Sequence, residues 1–274
     1  MSRALTRGLR VFWLALMVFL YAPLAVVVFF SFNSINSSAR FAGFSLQWYE
    51  RLFSNDAILS ALSNTVILAL ASTVIAVVLG VALGYGLYRH RHRRLAWLIW
   101  LIYLPVIMPD IVFGISEMTF FVTLDRWFGI LRPGLATMVI AHVTFQVPFV
   151  ALLVHARLLS LDAQLFEAAQ DLYARPWQRA RFFILPVLGP AIMASILLAL
   201  TLSIDDFVIS FFTAGPDSTT LPIYIWSAIK KGITPEVNAI ATLMIVSVFL
   251  VAVVSLALQG RADSSKKSQG RSTQ

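Results

Sequence analysis

Apolar residues fall into six long runs, at about 11–32, 59–88, 95–122, 135–156, 186–212 and 237–258, separated by shorter polar stretches. A helix rising ~1.5 Å per residue needs ~20 apolar residues to cross a ~30 Å hydrocarbon layer, and each run meets that length. The pattern therefore predicts an all-α integral membrane protein with six transmembrane helices, residues 11–258. Residues 1–10 form a polar N-terminal end, and the polar tail 259–274 is expected to be disordered. The first run is too long for the apolar core of a signal peptide, and no small-x-small site closes it. It is expected to be a retained anchor. No internal repeat stands out.

Composition agrees with the pattern. The chain of 274 residues is 59% hydrophobic and 12% charged, with mean hydropathy +0.83, too apolar for one soluble core. It has no cysteine, which excludes disulfides, thiolate metal sites and cysteine nucleophiles together. A net charge of +8 would suggest nucleic acid in a soluble protein. Here its distribution matters more. With the N-terminus inside, the cytoplasmic segments hold Arg3, Arg7 and Arg10; Arg89, Arg91, Arg93 and Arg94; Arg157, Arg175, Arg179 and Arg181; and Arg261, Lys266, Lys267 and Arg271. Of the 21 basic residues, only Arg40, Arg51, Arg126, Arg132, Lys230 and Lys231 are left outside. The positive-inside rule thus puts both termini in the cytoplasm.

That orientation gives the loop at 157–185, between the fourth and fifth runs, to the cytoplasm. Its residues carry a helix pattern rather than a bare connection. Asp162 suits an N-cap, and Leu165, Ala168, Ala169 and Leu172 recur at helical spacing. Arg175-Pro176 ends that helix, and Pro176 suits the first position of a second one. In the second, Trp177, Ala180 and Ile184 share a face and Pro186 is the stop. Such a helix-turn-helix either rests on lipid headgroups or offers small alanines to another protein.

The loop residues resemble the EAA signature of permease subunits of bacterial ABC importers: Glu-Ala-Ala, three residues, Gly, nine residues, Ile-x-Leu-Pro. Glu167, Ala168, Ala169, Leu185 and Pro186 match at the same spacing. Tyr173 stands where the pattern has Gly and Phe183 where it has Ile; a left-handed turn at Tyr173 would cost roughly 1–2 kcal/mol. Other blocks are similar to spermidine/putrescine-type permeases: Tyr21-Ala22-Pro23, Trp48-Tyr49, the run from Pro105 to Asp110, Ala141 to Phe145, Leu202 to Ile209, and Gly232 to Ala239. The resemblance implies a second permease, two copies of a nucleotide-binding ATPase that hold ATP and Mg, and a periplasmic solute-binding protein. It also implies that Glu167, Ala168, Ala169, Asp171, Tyr173, Leu185 and Pro186 form the ATPase-coupling element, with Glu167 central.

The chain's own chemistry fits a transporter that takes its energy from elsewhere. It contains no GxxxxGK[ST] phosphate loop, so no ATP is held by that route. No Ser/His/Asp or metal-ligand cluster is visible, so a membrane enzyme is disfavoured and no catalytic or metal residue is expected. The acids within the runs are Asp110 and Glu117 in the third and Asp205 and Asp206 in the fifth. Acids at membrane depth cost at least ~2.5–3.5 kcal/mol and usually face a cavity or a partner. Together they suit the path of a cationic solute such as a polyamine. Two alternatives stay open: single acids that cap a helix or sit at the wet interface, and a proton relay in an ion-gradient-driven secondary transporter. His142 and His155 are too far apart to pair and are expected to pack or hydrogen-bond to neighbouring helices. Gly80 and Gly84 make a small face for close helix packing, within the chain or against a partner permease. Trp48, Tyr49, Trp127 and Trp226 near run ends are expected as interface anchors.

Overall fold

The computed structural model describes residues 3–37, 40–90, 97–162, 164, 175–232, 234–250 and 253. Among them the regular structure is helical, with one isolated antiparallel bridge between Asn33 and Phe44. The helices are α1 (Arg3–Phe30), α2 (Gln47–Ser54), α3 (Asp56–Arg89), α4 (Leu98–Ile107), α5 (Asp110–Phe128), α6 (Leu135–Leu159), α7 (Pro176–Arg179), α8 (Leu185–Ile204), α9 (Val208–Thr213), α10 (Leu221–Lys231) and α11 (Pro235–Leu250). Four stretches are long and apolar enough to span a bilayer: Gly8–Phe30, Asp56–Arg89, Leu135–Leu159 and Trp177–Ile204. The pair α4 and α5 makes a fifth if taken as one broken span. The sixth expected run begins in α11, and its end, to residue 258, lies outside the described residues.

Two runs that read as continuous in sequence are broken in the structure. The third bends by 107° between α4 and α5. Met108 precedes Pro109 and is extended (φ −71°, ψ 136°), because a residue before proline is pushed out of the helical region. The fifth run is interrupted at Asp205–Phe207, between α8 and α9. Conversely, the expected stop at Pro186 does not occur. Helix runs from Trp177 through Pro186 to Ile204, with a π-turn at Ala180–Ile184. A proline ring crowds the carbonyl four residues back, and the wider turn just before Pro186 accommodates it.

The chain divides into two compact units. One comprises residues 1–59 and 224–252. Its most organised feature is the loop after α1. Asn33 is fully buried; its Nδ2 donates to the carbonyls of Ser37 (2.6 Å) and Arg40 (2.8 Å), and its Oδ1 accepts from Ala42 N–H (3.0 Å). The indole N–H of Trp48 donates to the Asn33 carbonyl at 2.6 Å. Trp48 is therefore a buried strut of this loop rather than an interface anchor; Trp127, in the other unit, is 73% exposed.

The second unit comprises residues 60–223 and 253–274. Within it α6 is the central helix, packed by α4, α8 and α9, and α9 packs on α5. Val77, Val150, Val154, Leu158, Leu188 and Ala199 form one buried cluster; Phe113, Phe121, Ala141, Phe145 and Ile209 form another. Gly80 and Gly84 bring α3 against α6 of the same chain. A Cβ on Gly80 would meet Val150 Cβ at 2.5 Å, and one on Gly84 the Ala151 carbonyl oxygen at 2.6 Å. The small face is thus used inside this chain.

Candidate functional site

The break between α8 and α9 is held by a buried polar chain. Phe207, the residue before α9, has no side-chain acceptor to offer the helix's first N–H groups. Asp206 supplies it: Oδ1 accepts from Ile209 N–H (3.3 Å) and Oδ2 from Ser210 N–H (2.8 Å). Facing it is His142 on α6, 2% exposed. Its Nε2 lies 3.3 Å from Asp206 Oδ2 and 3.0 Å from Ser210 Oγ, and its Nδ1 lies 2.8 Å from Ser203 Oγ. The chain continues from Ser203 Oγ to Ser72 Oγ on α3 (3.3 Å), which accepts from Gln146 Nε2 (3.3 Å). Gln146 Nε2 also donates to the Ala199 carbonyl (3.2 Å), while its Oε1 is buried with no partner. His142 and Gln146 are four apart on α6 and so share a face. Six polar side chains, Ser72, His142, Gln146, Ser203, Asp206 and Ser210, are thus linked in the interior of this unit.

The expected acids are not equivalent in this setting. Asp206 has only 11% of its side chain exposed and sits in the network. Asp205, its neighbour, follows the last turn of α8 and is exposed. Asp110 is exposed in the first turn of α5, and Glu117 is half-buried two turns on. The bend precedes Asp110, so both acids lie on one unbroken helix. Gly114 shares their face by its spacing of four and three. A Cβ there would come within 3.4 Å of the Val208 carbonyl oxygen and 3.5 Å of Ile209 Cα. The acid-bearing face of α5 therefore lies along α9, beside the break that carries Asp205 and Asp206. No ion pair joins these four acids to a Lys or Arg among the described residues. Nor is any group of three or more His, Asp or Glu placed to hold a metal among those residues.

Residues 76–268 match the family described as binding-protein-dependent transport system inner membrane component. The chain belongs to that family. The match spans all four acids, His142 and the loop at 157–185. Among curated relatives, the putrescine transport system permease protein PotI of Escherichia coli (strain K12) is 38% identical over 250 residues, covering 90% of this chain and 89% of PotI. The spermidine/putrescine transport system permease protein PotC of the same strain is 36% identical over 259 residues, covering 94% of this chain and 96% of PotC. These relatives are transport permeases rather than enzymes. A bacterial ABC transporter involved in the import of the acidic polysaccharide alginate shares the fold, with TM-score 0.71 at 17% identity over 95% of both chains. The MetNI methionine ABC transporter in inward-facing form gives TM-score 0.61 at 18% identity, covering 74% of this chain and 97% of that one.

The residues expected to form the coupling element lie largely outside the described residues: Glu167, Ala168, Ala169, Asp171 and Tyr173 all do. Leu185 and Pro186 are described, and they open α8 with Leu185 44% exposed. Just before them Trp177 (68%) and Phe182 (72%) are also exposed. The network around His142 is what the sequence reading missed. His142 hydrogen-bonds to neighbouring segments as expected, but nothing in the sequence singles out Asp206 as its partner. The available signal was the His142/Gln146 spacing, which places two polar side chains on one face of an apolar helix.

Proposed function

We propose that this chain is the transmembrane permease subunit of an ATP-driven ABC importer that moves a small polyamine of the putrescine or spermidine kind from periplasm to cytoplasm. The observation that carries the reading is identity of 36–38% across nine-tenths of two polyamine permeases. The chemistry of the site supports it: acids gathered along α5 and the α8–α9 break, with no Lys or Arg partner among the described residues, suit a solute bearing ammonium groups. In this reading six spans cross the inner membrane, with both termini and the loop at 157–185 on the cytoplasmic side. A second permease completes the pathway, and a periplasmic binding protein delivers the solute. Two ATPase copies bind ATP and Mg and grip the Glu167 loop.

Glu167, Ala168, Ala169, Asp171, Tyr173, Leu185 and Pro186 form the coupling element in this account. Asp110, Glu117, Asp205 and Asp206 border the pathway. A competition experiment tests the substrate. Uptake of labelled putrescine, in cells lacking other polyamine importers and expressing this chain with its partners, should be blocked by excess spermidine or putrescine. Excess of a neutral diol of the same length should leave it unchanged. Equal competition by the diol, or no putrescine uptake, contradicts the polyamine assignment.

A further inference from the structure

The same break points to a division of labour between the two adjacent aspartates. Asp206 is already committed: its carboxylate accepts two backbone N–H groups of α9 and faces His142 Nε2. A passing cation would have to displace those partners. Asp205 has no such engagement and is exposed. The imidazole that commits Asp206 also touches both flanks of the break: Ser203 in the last turn of α8 and Ser210 in the first turn of α9. One ring thus contacts side chains before, within and after the break that presents Asp205.

We propose that His142 is a positioning residue for transport: it draws Asp206 into the core, staples the two ends of the break, and leaves the Asp205 carboxylate alone to meet the cation. This rests on the reading of the acids as pathway residues. His142 does not touch the solute and acts through the placement of Asp205. Ser203 serves the same end by holding the ring's other nitrogen, and Ser203 is tied in turn to Ser72 of α3.

The test is the KM for putrescine uptake by the complete importer, normalised to the amount of this chain in the membrane. Replacing one charged partner with a neutral one in a binding contact typically weakens it by about tenfold. Asp205→Asn should raise KM by about that factor, and His142→Ala should raise it comparably. In the Asp205→Asn background, His142→Ala should add less than about twofold, since residues acting through one contact are not additive. His142→Gln, whose amide can reach the place of Nε2, should recover most of the loss. Ser203→Ala, which leaves the ring in place, should shift KM in the same direction by a smaller factor and by nothing once Asp205 is neutral.

An unchanged KM in His142→Ala, while Asp205→Asn raises it, overturns the positioning role and leaves the pathway reading intact. An equal KM factor for His142→Ala with and without Asp205 also overturns it. An unchanged KM in Asp205→Asn removes the pathway reading and the positioning role together. If His142→Ala fails to reach the membrane, Ser203→Ala carries the comparison, and an unchanged KM there overturns the proposal.

Discussion

His142 Nε2 lies 3.3 Å from Asp206 Oδ2, and the same carboxylate accepts the N–H groups of Ile209 and Ser210. The pair joins α6, the central helix of its unit, to the point where the fifth apolar run breaks. Asp206 thereby becomes part of the framework, and its neighbour becomes the acid in play.

The two aspartates should therefore respond differently to the same substitution. Asp206→Asn turns a donor amide toward N–H groups that need an acceptor, and should destabilise the protein by about 1.5–3 kcal/mol. Asp205→Asn, at an exposed position, should stay within about 0.5 kcal/mol. Thermal unfolding of the purified protein in detergent compares them, and equal losses would show that Asp206 is not held as described.

Gly80 and Gly84 should be intolerant while Gly86 is tolerant. A Cβ at Gly80 collides with Val150 at 2.5 Å and one at Gly84 with the backbone of Ala151 at 2.6 Å, whereas nothing lies within 4 Å of one at Gly86. Substituting leucine at either of the first two forces α3 off α6, costing about 1–3 kcal/mol or more. Membrane accumulation should fall in Gly80→Leu and Gly84→Leu and hold in Gly86→Leu. Normal accumulation of all three would mean that α3 and α6 do not pack this closely.

At the loop after α1, charge should matter more than size. Asn33→Ala removes donors to the Ser37 and Arg40 carbonyls and an acceptor for Ala42, at about 1–3 kcal/mol. Asn33→Asp keeps the shape but sets a carboxylate oxygen against two carbonyls 2.6 and 2.8 Å away. It should be the less stable of the two in the same unfolding assay. The reverse order would place the donors elsewhere.

If Glu167 transmits motion from the ATPase, Glu167→Ala should abolish uptake or leave ATP hydrolysis running without transport, in a complex that still assembles. Uptake and the hydrolysis stimulated by solute and binding protein report this together. Wild-type values of both would remove the coupling role.

Much of this was legible in the residues themselves. Span length gave the helices at Gly8–Phe30, Asp56–Arg89 and Leu135–Leu159 almost as the structure has them, because hydropathy over ~20 residues is set by the bilayer. Hydropathy says little about where a greasy run bends. Met108-Pro109 and Asp205-Asp206 interrupt two runs without lowering their apolar character enough to divide them. Pro186 marked a helix end by propensity, yet the π-turn at Ala180–Ile184 carries the helix past it. The acids were visible singly. Their inequality was not, because it depends on which of two adjacent carboxylates meets His142, 64 positions upstream of Asp206, across a tertiary contact.

The most direct measurement is uptake of labelled putrescine into proteoliposomes holding this chain with its partner permease and ATPase, with the solute-binding protein added outside. Saturable uptake that requires ATP inside the vesicles, and that is indifferent to an imposed proton gradient, is the predicted result. Uptake driven by a proton or sodium gradient with no ATP, or with the ATPase left out, would contradict the account.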